Sequence, residues 1–156
     1  MQDSGRNDFS HGAILGGYSD LREAGMGLTT TGRRAWPPVG AVDGDDLDRS
    51  YYYSVFPSML LSLHGDYVMV HRLHPVEAGR TLIECAWLVD PRTAAAPDFD
   101  PSQVVDFWDL TNRQDWRVNE LTQRGMRSRA YRPGPYSNAE GLLQAFDRYY
   151  VDRMEA

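Results

Sequence analysis

The segment from Val104 to Gly125, VVDFWDLTNRQDWRVNELTQRG, constrains this chain more than any other stretch. Its apolar residues Val104, Trp108, Leu110, Val118 and Leu121 spread over a broad arc and do not alternate, so the segment reads as one helix. Asp100 stands before Pro101, Ser102 and Gln103. An Asp at the N-cap, Pro at the first helical position and Gln at the third form a capping-box-like start. Gly125 follows Gln123 and Arg124, as a C′ glycine follows a last turn that carries a cation. Trp108, Asn112, Asp115, Asn119 and Thr122 recur at spacings of three and four, so they share one face. A solvated face more often carries Lys and Glu. A stripe mixing Trp, Asn and Asp points instead to a lined cavity. The plainer alternative, an exposed polar face with one Trp touching the core, fits the same spacing.

The totals narrow what such a helix can serve. A chain of 156 residues can form one domain with a substantial core. Apolar residues at 42% and charged residues at 24% are ordinary for a globular protein. A formal net charge of -6 argues against a nucleic-acid surface, which would carry a basic patch. No apolar run approaches the roughly 20 residues of a membrane span. The opening MQDSGRNDFS has no apolar h-region, so no secretory signal is read and a cytoplasmic location is expected. The one cysteine, Cys85, makes no intramolecular disulfide and cannot by itself hold an iron–sulfur cluster. Inside the apolar run TLIECAWLV it reads as a buried structural thiol.

Residues 1–20 are polar and glycine-rich, with no strong periodicity before Ile14. The threonines at 29–31 favour an extended segment around Met26 to Thr31, ended by Gly32. Trp36, Pro37, Pro38 and Gly40 mark an irregular crossing, and Asp43 to Asp48 reads as a solvent-facing acidic loop. Three strands follow: Tyr51 to Leu63, with a bulge or edge at Pro57; Tyr67 to Leu73; and Thr81 to Val89. The turns His64-Gly65-Asp66 and Val76 to Gly79 join them as an antiparallel meander. RPGPY, within Met126 to Tyr136, is loop. Ser137 and Glu140 form an S-x-x-E capping box before a stripe of Leu142, Leu143, Phe146, Tyr149, Tyr150 and Met154. Strands first and helices afterwards give an α+β class, an antiparallel sheet packed on a long helix.

The histidines are His11, His64, His71 and His74. His71 and His74 lie three apart on a strand, so they point to opposite faces and do not share a metal. Tyr67, Met69 and His71 point one way and Val68 and Val70 the other, which leaves one face to line a pocket. No nucleophile elbow, phosphate loop, dinucleotide fingerprint or Cys-x-x-Cys pair occurs.

The segments FPSMLLSLHGDYVMVHRLHP, RTLIECAWLVDP, DFWDLTNRQDWRVNELTQRG and SRAYRPGPYS, in this order, resemble the catalytic domain of Rieske non-heme iron oxygenase α subunits, the ring-hydroxylating group whose relatives also oxidise choline and betaine. The resemblance runs from about Gly12 to the C-terminus. It implies a helix-grip fold, here incomplete at the N-terminus, with 1–156 forming a single partial catalytic domain. It also implies Fe(II) held by two histidines and one aspartate, the facial triad that leaves positions open for dioxygen beside substrate. The aspartate lies in the motif reading NRQDW, so the likeness makes Asp115 the catalytic and metal-binding residue. By the same likeness Trp108, Asn112, Asn119 and His71 line the substrate pocket.

Nothing in the chain matches the family's His-Pro motif, and His11 lacks that context. The 2Fe–2S cluster of complete members needs two Cys and two His, so no Rieske domain is present and this chain cannot bind that cluster. The expectation is the iron- and substrate-binding portion of an oxygenase that hydroxylates or oxidatively demethylates a small organic substrate. Taken alone, the chain is expected to be inactive. Complete relatives use a reductase or ferredoxin and are commonly homotrimers. The alternative is a non-enzymatic helix-grip module that binds a small molecule. Trp108, Trp116 and Tyr67 suit an aromatic ring or, by cation–π contact, a quaternary ammonium.

Overall fold

The computed structural model describes residues 8–155; residues 1–7, the first part of the polar opening, lie outside the described residues. Six antiparallel strands pair strictly in chain order: β1 (Phe9–His11), β2 (Ile14–Asp20), β3 (Arg49–Val55), β4 (Met59–Leu63), β5 (Val68–Glu77) and β6 (Arg80–Leu88). Three helices follow, α1 (Pro91–Ala94), α2 (Ser102–Met126) and α3 (Gly141–Met154). The class is α+β, with a long helix on one face of an antiparallel sheet.

Register decides what α2 meets. His71 pairs with Leu60 and Cys85, and Met69 with Ser62 and Trp87. Directly opposed residues share a face, so these side chains and Tyr67 all turn toward α2. Val104 and Trp108 answer from the helix, and with Tyr67 and Met69 they form the buried core. Tyr67 and Trp108 also settle their polar atoms. Trp108 Nε1 donates to Tyr67 Oη at 2.8 Å, and Tyr67 Oη donates to the Leu28 carbonyl at 2.8 Å. Both polar tips of these large aromatics are therefore satisfied inside the core.

The long helix forms as expected, but both ends differ in detail. Asp100 accepts from the backbone N and the hydroxyl of Ser102, so it serves the first turn, with Pro101 between. Gly125 lies inside α2, which continues to Met126. Glu140 accepts from the Ser137 backbone N–H, which is half of the anticipated box, and α3 begins at Gly141.

Three readings of the first half need correction, and that of the acidic loop, which does face solvent, is refined. The glycine-rich opening contains a hairpin, β1–β2. Met26 to Thr31 is no strand: Thr29 Oγ1 bonds Thr31 and the Arg33 carbonyl, and one isolated bridge joins Met26 to Arg33. The acidic loop is a 3-10 turn over Gly44–Asp48, tied down by Asp48 to Arg34 at 3.2 Å and Asp45 to Arg49 at 3.5 Å. Tyr51 to Leu63 is two strands, with Pro57 in the connecting turn after a cis Phe56–Pro57 bond. There Phe56 meets Phe146 and Tyr149 of α3 at ring-centroid distances of 5.6 and 4.9 Å, which anchors α3 against the sheet.

Candidate functional site

A hollow of about 660 Å³ lies where α2, α3 and the helix-facing side of the sheet converge. His71, Trp108, Asn112, Asp115 and Asn119, the whole set named from the sequence, all line it. The helical face and the strand alternation therefore converge on one space. Thr122, which shares the helical spacing, is exposed and lines no part of it. Tyr67 is fully buried in the core and does not reach the hollow.

The five residues divide by environment. Trp108 is mainly a core residue whose ring borders the hollow. Asn112 is buried and bonded on both sides: its Oδ1 lies 3.1 Å from His71 Nε2, and its Nδ2 lies 3.7 Å from Cys85 Sγ. With Nδ2 donating to sulfur, Oδ1 accepts from His71 Nε2–H. Burial, with the Asp109 carboxylate adding, pushes the Cys85 thiol above its ordinary pKa, so the sulfur stays protonated. Asp115 and Asn119 are exposed at the mouth. Among the described residues Asp115 has no hydrogen-bond or ion-pair partner, so its carboxylate is available.

Sequence reasoning missed the rest of the wall. Leu142, Leu143 and Phe146 of α3 contribute to it, as do Tyr52 and Leu60 of the sheet. The α3 stripe was visible as an apolar face, but nothing in sequence told that it would share a cavity with α2. His74 pairs with Glu84 at 3.4 Å on the opposite side of β5 from His71, as strand alternation requires. His11 lies on edge strand β1, is exposed and takes no part.

A mononuclear iron of the facial-triad kind takes two imidazoles and one carboxylate. Among the described residues no group of three or more His, Cys, Asp or Glu is placed to hold one ion. Asp115 offers one oxygen donor, so the described residues do not fit the ion by themselves. A second hollow of about 630 Å³, between Trp36, Phe99 and α1, contains none of the candidates. Among the described residues no helix is long and apolar enough to cross a membrane.

Residues 1–156 match the family described as ring hydroxylating alpha subunit (catalytic domain). Over 92 residues the chain is 39% identical to the glycine betaine monooxygenase oxygenase subunit of Pseudomonas aeruginosa, which covers 58% of this chain and 21% of that protein. The subunit of the same name from Chromohalobacter salexigens is 38% identical over 92 residues, 58% of this chain and 20% of its own length. The chain thus matches about a fifth of the length of these curated relatives. The family match over residues 1–156, with which the α+β architecture is consistent, places this chain in the ring-hydroxylating oxygenase α-subunit family, within its catalytic domain.

Proposed function

We propose that this chain is the iron- and substrate-binding portion of a Rieske-type oxygenase, a single partial catalytic domain. The observation that carries the reading is the gathering of Asp115, His71, Asn112, Asn119 and Trp108 around one cavity. Asp115 supplies one carboxylate to a mononuclear Fe(II) whose two imidazole ligands come from outside these 156 residues. Held by Asp115 together with imidazoles from elsewhere in the complete enzyme, such an ion would supply dioxygen activation for hydroxylation or oxidative demethylation, with electrons from a reductase or ferredoxin through a 2Fe–2S cluster. The chain's own contribution is to hold the carboxylate on a helix that the Trp108–Tyr67–Leu28 relay fixes to the sheet. It also walls the substrate with apolar side chains and orients His71 through Asn112. The substrate is a small organic molecule, the working location the cytoplasm and the assembly a homotrimer.

The test is Asp115→Ala in the complete oxygenase that carries this segment. Turnover and stoichiometric iron should both be lost, while stability changes by less than about 0.5 kcal/mol because the side chain is exposed and unpaired. Undiminished turnover would sink the assignment. The isolated chain should show neither oxygenase turnover nor tight Fe(II) binding.

One observation favours a second reading. The cavity walls are largely apolar, and the carboxylate sits at the mouth, where it costs little to leave unpaired. A non-enzymatic module that binds a small molecule would look the same. Ligand binding by the iron-free chain that is unchanged in Asp115→Asn supports this second reading over the first.

A further inference from the structure

We infer that Trp116 is a partition that sets the length of ligand this cavity accepts; the inference rests on the reading of the hollow beneath α2 as a ligand site. Two hollows lie side by side between α2 and the sheet. One, of about 660 Å³, holds Asp115, His71 and Asn112. The other, of about 500 Å³, opens toward the tip of the β5–β6 hairpin. Three residues line both: Ile83, Trp116 and Asn119.

These three form the boundary from two sides. Ile83 pairs with Leu73 on the helix-facing side of the sheet, so it rises from below. Trp116 and Asn119 descend from α2, three residues apart and therefore neighbours on its surface. An isoleucine and an exposed asparagine leave a gap between helix and sheet; an indole has the breadth to close it. Trp116 is half-buried and stands outside the core cluster, so its bulk acts on the cavity and not on the core.

The chemistry changes across the boundary. The first hollow is largely apolar, its polar groups being His71, Asn112, Asp115, Asn119, two serines and two tyrosines. The second is rimmed by Arg80, Thr81, Glu120 and Gln123, with Arg80 already paired to Glu77 at 3.1 Å. A compact ligand with an apolar body fills the first hollow. A longer one with a neutral polar tail finds partners in the second only if Trp116 is out of the way. Trp116 thus selects for short ligands, and a smaller side chain there opens one continuous slot with an apolar end and a polar end.

The experiment measures dissociation constants of the 156-residue chain for phenylalkanols of increasing length, from 2-phenylethanol to 8-phenyl-1-octanol, by NMR titration. In the unmodified chain affinity should climb roughly fourfold per added methylene and then stop. In Trp116→Ala the climb should continue for about three further methylenes, a gain of roughly 60-fold for the longest alcohols. Trp116→Phe should stop in between, and Ile83→Ala, which trims the opposite side of the partition, should shift the limit the same way. Circular dichroism establishes that each variant is folded. A folded Trp116→Ala with an unshifted limit overturns the partition while leaving the ligand site standing. Absence of binding at every length, in the unmodified chain and in all variants, overturns the ligand-site reading and the partition with it.

Discussion

His64 carries the acid response of this protein. It sits in the turn between β4 and β5 at 7% exposure, with Nδ1 3.1 Å from Ser50 Oγ and its ring 4.6 Å from that of Tyr67. Burial lowers its pKa from 6.5 to about 4. The unfolded chain therefore binds the proton that the folded one refuses. The stability this gives is fully present above the unfolded value and drains away as pH falls from 6.5 toward 4. A shift of that size is worth roughly 3 kcal/mol. Asp66, in the same turn, opposes it. Burial raises the Asp66 carboxyl, so protonating it in acid favours the folded state. Urea unfolding at pH 7.5 and pH 5 should show a fall in stability that His64→Asn largely removes; an equal fall in the variant would show that His64 is not the cause. Sequence placed His64 in a turn, correctly, but a turn is ordinarily exposed, and its burial comes from α2 lying over it. The place of Asp115 on the hollow was legible for a different reason: its helical spacing puts it on one face with Trp108 and Asn112, which needs no knowledge of surface depth.

At the scale of elements, the fit between β2 and β3 is the most exacting contact in the sheet. A Cβ on Gly16 would lie 2.2 Å from the Tyr52 carbonyl oxygen and 2.5 Å from the Tyr53 ring. Backbone cannot give way there as a side-chain tip can. Gly16→Ala should cost about 3 kcal/mol or more by chemical denaturation, the upper end of overpacking effects. Gly79→Ala is the control. Its new methyl meets only the Arg127 guanidinium, the movable end of a flexible side chain, and should shift stability by less than about 0.5 kcal/mol. A small effect at Gly16 would show that β2 and β3 can part locally. The same glycines explain why β1–β2 was illegible. Gly12, Gly16 and Gly17 read as loop by composition, although a glycine in a strand also marks close backbone approach. The strands from Arg49 to Leu88 were read because alternation and turn residues agree there. α2 was read because its length exceeds what any strand explains.

For the whole molecule, the sheet face turned away from α2 governs solution behaviour. Phe9 stacks near Tyr53 at 5.5 Å, Tyr53 on Tyr51 at 6.3 Å, and Tyr51 near Tyr18 at 5.3 Å, a ladder of rings across three strands. Leu82 and Leu88 on the same side are 61% and 55% exposed. Against this apolar surface stands a net charge of -6 and an isoelectric point near 5.1. Self-repulsion vanishes at that pH, so light scattering at fixed concentration should peak near pH 5 and decline by pH 7.5. Scattering that is greatest at pH 7.5 would show that charge does not control association. The strand order has a consequence in time as well as in space. Each strand pairs only with its neighbours in the chain, so apart from the long connection between β2 and β3 the sheet has short loops to close. All six strands precede α2 and α3 in the chain, so the ladders can begin to pair before the helices are complete. α2 and then α3 wall the hollow from outside the sheet, so the cavity that Asp115 lines is closed only when the most C-terminal element docks.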